Sequence, residues 1–151
     1  MAGGRAWGVA GKPETKKGSF VSHINFLAVI VAAVSSFLLG GLWYSPMLFG
    51  PTWNREAGAA SKAGQGHPAK VFGVSLLFAL IAALAYAFLV PAAAGALDAL
   101  VKGLIVGAGF VAASFGINYQ FANRSTTMWL IDAGYHTVQF AIYGLVLGLW
   151  H

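Results

Sequence analysis

The fold class this sequence predicts is all-α: an integral membrane four-helix bundle preceded by an extended N-terminal arm. Two observations carry that expectation. Of the 151 residues, 58% are hydrophobic and 9% charged, whereas an ordinary soluble domain is roughly 25% charged. The apolar residues are also gathered into four stretches of about twenty. A helix of that length, at about 1.5 Å per residue, just spans a hydrocarbon core of roughly 30 Å.

Residues 1–21 are Gly-rich and basic and show no helical apolar face, which predicts an arm rather than a helix. Four of the nine cations, Arg5, Lys12, Lys16 and Lys17, lie there and supply much of the net charge of +5. Each is worth about 1 kcal/mol against anionic headgroups, too little to order the arm. Trp7 is therefore expected to anchor it in a partner protein, with Lys12, Lys16 and Lys17 as solvated rim contacts. No groove-sized basic helix follows, so nucleic acid is not expected as a partner. Cysteine is absent, which excludes disulfides, thiolate metal sites and a Cys nucleophile.

Residues 22–151 are expected to form one transmembrane domain, with helices at about 24–45, 71–91, 100–122 and 128–150. The first carries no charge, places Trp43 and Tyr44 where amphipathic rings favour the headgroup layer, and is stopped by Pro46. In the following loop Pro51 is suited to open a short interfacial helix that Gly58 closes, laying Trp53 on the membrane surface. Trp43, Tyr44 and Trp53 thus read as one interfacial belt. The second helix ends at Pro91 and repeats small residues every fourth position, at Ser75, Ala79, Ala83 and Ala87, a packing face. The third carries Gly103 and Gly107 in a GxxxG arrangement, with Lys102 near the interface where its stem snorkels. The fourth repeats that spacing at Gly144 and Gly148. Only residues 123–127 join these two, so they are expected to form an antiparallel hairpin. Five cations against four on the two sides leave the orientation undecided.

The fourth helix holds the chemistry. Asp132, His136, Gln139 and Tyr143 share one face at i, i+4, i+7 and i+11, and a polar stripe in lipid must find partners. Asp132 and His136 are expected to bond each other and the third helix, where Asn118, with Ser114 one turn earlier, is the natural partner. The same pair is the arrangement that orients a metal-ligating or proton-transferring imidazole. One His and one Asp make half a metal site, and His23, His67 and His151 lie elsewhere in the chain, so no metal is predicted. No serine sits in a strained turn, and no catalytic set is assigned. No cofactor is predicted; ligation of a macrocycle by His136 would need a wide apolar slot.

A resemblance rests on several of these residues together. Asn25 to Val29, Gly41-Leu42-Trp43-Tyr44-Ser45-Pro46 with Leu48-Phe49-Gly50 and Trp53, Ile117-Asn118-Tyr119, Arg124-Ser125, Ile131 to His136 and the closing Gly148-Leu149-Trp150 resemble the bacterial membrane family catalogued as domain of unknown function 1761. The similarity covers about residues 24–151 in order. It implies a small four-helix protein of the bacterial inner membrane with unassigned activity, and it supplies no catalytic residues.

Three functions fit these observations. The favoured one is a non-catalytic accessory or scaffold subunit, held to other membrane proteins, or to copies of itself, by small-residue stripes and the basic arm. The second is a small-molecule binding or permeation protein, with a site between Trp43-Tyr44 and the polar face of the fourth helix. The third is an intramembrane enzyme using Asp132 and His136 on a lipid-soluble substrate.

Overall fold

A computed structural model describes residues 24–58, 66–91 and 93–150. The arm residues Trp7, Lys12, Lys16 and Lys17 lie outside the described residues, as do His23 and His151. Among the described residues there are five helices and no strand: α1 (Phe26–Trp43), α2 (Gly50–Ala57), α3 (Pro68–Leu89), α4 (Ala96–Phe121) and α5 (Thr126–Leu149).

Each boundary has a local cause. Asn25 caps α1 by accepting from Ala28 N at 3.1 Å, and Ser125 caps α5 by accepting from Met128 N at 3.1 Å. Pro51 and Pro68 occupy first-turn positions of α2 and α3, where a missing N–H costs nothing. Gly58 ends α2 at φ 59°, a conformation that favours glycine. Asn123, at φ 51°, ends α4 in the same left-handed region, and Arg124 N closes the turn on Tyr119 O at 2.9 Å.

Among the described residues three helices, α1, α3 and α4, are long and apolar enough to cross a membrane. Their outward faces agree with that. Leu38 is 75% exposed and Phe110 67%, with Leu27, Leu77, Ile105 and Ile117 similarly placed, an apolar surface that water would not tolerate. The fourth expected span, α5, is 24 residues long yet falls outside the apolar set. The difference follows from its position. α5 packs against α1, α2, α3 and α4 and buries ten residues, Asp132 and Gln139 among them, so its neighbours rather than lipid meet its polar face.

The small residues make this packing close. On α4, Gly103 faces the Phe140 carbonyl and Gly107 faces Thr137; on α5, Gly144 faces the Ala99 carbonyl and Gly148 faces Ala96. The partners step in opposite directions along the two helices, which is the expected antiparallel hairpin. Ala28, Ala32 and Ala33 of α1 share a second buried cluster with Ala79, Ala83 and Ala87 of α3, closed by Tyr86, Phe140 and Tyr143. The glycine pairs and the alanine stripe are thus used within the chain.

One feature of α4 was not expected. Its middle, Ile105–Ala112, is a π-helix flanked by Ala96–Leu104 and Ala113–Phe121. The wider turn re-aims the backbone, and Trp129 Nε1 of α5 donates to Ala112 O at 2.9 Å where the π-segment ends. Trp129→Phe is expected to cost about 1 kcal/mol, the net worth of one such bond. Thermal unfolding in detergent would measure it, and an unchanged midpoint would mean the indole contributes packing alone.

Candidate functional site

Two polar clusters lie on the inner face of α5, about one turn apart. The first centres on Asp132, which is 6% exposed. Tyr44 Oη donates to its Oδ1 at 2.8 Å, Tyr119 Oη donates to Oδ2 at 2.6 Å, and Trp53 Nε1 reaches both oxygens at 3.0 and 3.3 Å. Every bond is donated to the carboxyl group, the pattern of an acceptor-only carboxylate. Through these donors one side chain of α5 holds the end of α1, the short α2 and the end of α4. The chain reaches back because residues 45–49 form a tight loop, with Phe49 N on Trp43 O at 3.0 Å and Gly50 N on Ser45 O at 3.1 Å. A Cβ on Gly50 would strike the Tyr44 and Ser45 carbonyls, so the loop needs glycine there.

Several expectations change at this cluster. Asp132 does not bond His136. Its α4 partner is Tyr119, while Asn118 and Ser114 are exposed. The π-segment shifts which residues of α4 face α5, and periodicity counted at 3.6 per turn does not register that shift. Tyr44 and Trp53, read as interfacial rings, turn inward to the carboxylate, and Trp43 Nε1 donates to Ile131 O at 3.0 Å. Their N–H and O–H groups are taken up by acceptors within the chain, as a partly buried indole or phenol requires.

The second cluster joins His136, Gln139, Tyr143 and Ser36. His136 Nδ1 lies 2.8 Å from Gln139 Oε1, Gln139 Nε2 lies 2.7 Å from Tyr143 Oη, and Tyr143 Oη lies 3.2 Å from Ser36 Oγ. Ser36 Oγ donates to Ala33 O, and Tyr135 Oη donates to Ser36 O at 3.1 Å. His136 packs between the rings of Phe115 and Tyr135, with centroids 4.8 and 5.0 Å away. The stripe read from sequence is one inward face, as its spacing indicated, but it divides into two networks.

Beside this second network lies a half-open cavity of about 760 Å³ between α1, α3 and α5, with Val111 of α4 also lining it. Phe37, Phe72, Phe78 and Phe140 form much of its wall, and His136, Gln139, Ser36, Tyr44 and Tyr135 supply its polar side. Space exists because the helices carry small residues here. Gly40, Gly41, Ser75, Ala79 and Ala82 line it, and a Cβ added at Gly41 would meet nothing within 4 Å. Among the described residues no three His, Asp or Glu side chains come together as a metal site.

The model of the family described as Protein of unknown function (DUF1761) matches residues 27–148. This chain belongs to the DUF1761 family. No curated protein and no solved structure matches it. The part of the DUF1761 chain that matches contains both polar clusters and the residues that line the cavity. Sequence reasoning had missed Ser36, Tyr135 and the phenylalanine wall of this DUF1761 protein. Ser36 carried a signal, since Ser35-Ser36 is a polar pair in the middle of an otherwise apolar helix. The wall carried none, because a phenylalanine facing a cavity and one facing lipid read alike.

Proposed function

We propose that this chain is a multi-pass protein of the bacterial inner membrane that binds a lipophilic small molecule in the cavity between α1, α3 and α5, without catalysing its conversion. Four helices span the bilayer in this proposal, α5 being the inner one whose polar face its neighbours shield from lipid. The observation that carries it is the cavity itself. Its volume of about 760 Å³ falls within the roughly 300–1,000 Å³ of small-molecule sites, and apolar walls with a few convergent polar groups are what such sites use for affinity and orientation.

An accessory-subunit role is less well supported. Its two sequence signals were the small-residue stripes and the basic arm. Gly103, Gly107, Gly144, Gly148, Ala79 and Ala83 pack within the chain, and the arm lies outside the described residues.

Gly41→Leu tests the binding proposal. Gly41 borders the cavity and an added Cβ meets nothing within 4 Å, and replacing a helical glycine is neutral to stabilising by about 0.5–1 kcal/mol. The variant is expected to keep or raise its unfolding midpoint in mild detergent while retaining severalfold less apolar small molecule through purification, measured by mass spectrometry of organic extracts. Equal retention by both proteins would sink the proposal.

A further inference from the structure

The hydrogen bonds beside the cavity run in one direction, and a main-chain carbonyl sets it. Ser36 Oγ donates to Ala33 O, and a carbonyl only accepts, so the Ser36 proton is committed there. Tyr143 Oη lies 3.2 Å from Ser36 Oγ, and the proton in that contact must then be Tyr143's own. With its proton given to Ser36, Tyr143 accepts from the Gln139 amide nitrogen at 2.7 Å. The other end of the amide is an oxygen, 2.8 Å from His136 Nδ1, and an oxygen there needs a donor. Nδ1 therefore carries the ring proton.

Turning the Gln139 amide over breaks the chain. Its oxygen would take the Tyr143 proton, and the contact between Tyr143 and Ser36 would then hold no proton at all. The directed arrangement puts a donor in each bond of this chain; Ala79 O, 3.5 Å from Tyr143 Oη, is a second acceptor for the same Tyr143 proton and favours the same direction. It leaves the neutral imidazole with a lone pair on Nε2, and among the described residues that nitrogen has no hydrogen-bond partner. No carboxylate bonds the ring either, since Asp132 is taken by Tyr44, Trp53 and Tyr119.

We infer that His136 Nε2 is the recognition atom of the cavity, and that the ligand is a lipophilic alcohol or phenol whose hydroxyl donates to it. The inference rests on the cavity being a ligand site, as proposed above. Phe37, Phe72, Phe78 and Phe140 accommodate the apolar body, and the hydroxyl is the group that Nε2 selects. An ester or ether of the same shape brings no donor and leaves the nitrogen unpaired against apolar walls, which costs affinity. A bare metal ion is a poorer match, because no second and third ligand converge on His136 among the described residues.

The test uses the full chain in mild detergent and two matched probes, para-nonylphenol and its methyl ether. Calorimetric titration is expected to find the phenol bound about tenfold more tightly, equivalent to about 1.4 kcal/mol. In His136→Phe that preference should vanish while the ether's affinity stays within about twofold. Equal affinities for the two probes in the unsubstituted chain would overturn the hydroxyl assignment and leave the cavity as a binding site. Failure of both probes to bind would overturn the cavity proposal with it. Nitrogen NMR of the imidazole needs no variant: the proton is expected on Nδ1 of His136, and a proton found on Nε2 in the ligand-free chain would refute the inference. A chromophore ligated through Nε2 in the purified protein would refute it as well, in favour of a macrocycle.

Discussion

Asp132→Ala is expected to lower the stability of the detergent-solubilised chain by about 2–4 kcal/mol, the scale of leaving part-buried donors without their common acceptor. The carboxylate is the common acceptor for Tyr44, Trp53 and Tyr119, which come from three different parts of the chain. Removing it orphans three donors in a part-buried site, and each hydrogen bond to a charged group is worth about 1.5–3 kcal/mol, though not additively. Asp132→Asn separates charge and direction from shape. Its amide nitrogen carries donors toward a place where a donor already points, so asparagine should recover less than half of the loss. Equilibrium unfolding followed by near-ultraviolet circular dichroism, which sees the Tyr and Trp rings directly, is the suitable measurement. A fully stable Asn variant would mean that the negative charge of Asp132 and its acceptor-only character contribute little.

The second large effect is expected at the glycines between α4 and α5. A methyl group at Gly103 or Gly144 would run into the Phe140 or Ala99 carbonyl, and at Gly107 or Gly148 it would lie 2.7 Å from a backbone Cα. Backbone cannot step aside as a side-chain tip can, so Gly103→Ala and Gly144→Ala should each cost about 1–3 kcal/mol or more. Gly109→Ala is the control. It sits in the same helix with nothing within 4 Å of the added atom, and should be neutral or stabilising by up to about 1 kcal/mol. If all three variants unfolded alike, helix propensity rather than close approach would govern these positions.

These two cases also mark how far the sequence was legible. The α4–α5 hairpin followed from paired GxxxG spacings and a short turn, because small residues at helical intervals have one use where no hydrophobic effect drives helices together. The inward face of α5 followed from periodicity alone. What did not follow was the division of labour on that face. Asp132 and His136 are one turn apart and chemically suited to each other, yet three aromatic donors from distant segments outcompete the histidine. Nothing local encodes that competition; it depends on the 45–49 loop folding Trp53 back and on a π-turn presenting Tyr119. The cavity was equally hidden. It arises where small residues of α1 and α3 fall opposite each other beside large ones, a coincidence of two helices that neither records.

Photolabelling tests the central claim, a lipophilic ligand seated between α1, α3 and α5, most directly. A long-chain alcohol with a diazirine in its tail would be irradiated with the full chain in detergent, and the modified residues mapped by peptide mass spectrometry. The account predicts labels concentrated on Phe37 and Phe140, the less exposed rings that line the cavity, and lost in Gly41→Leu. Labels spread evenly over outward residues such as Leu38, Phe110 and Phe121, and unaffected by that substitution, would show the alcohol only as solvent and contradict the account.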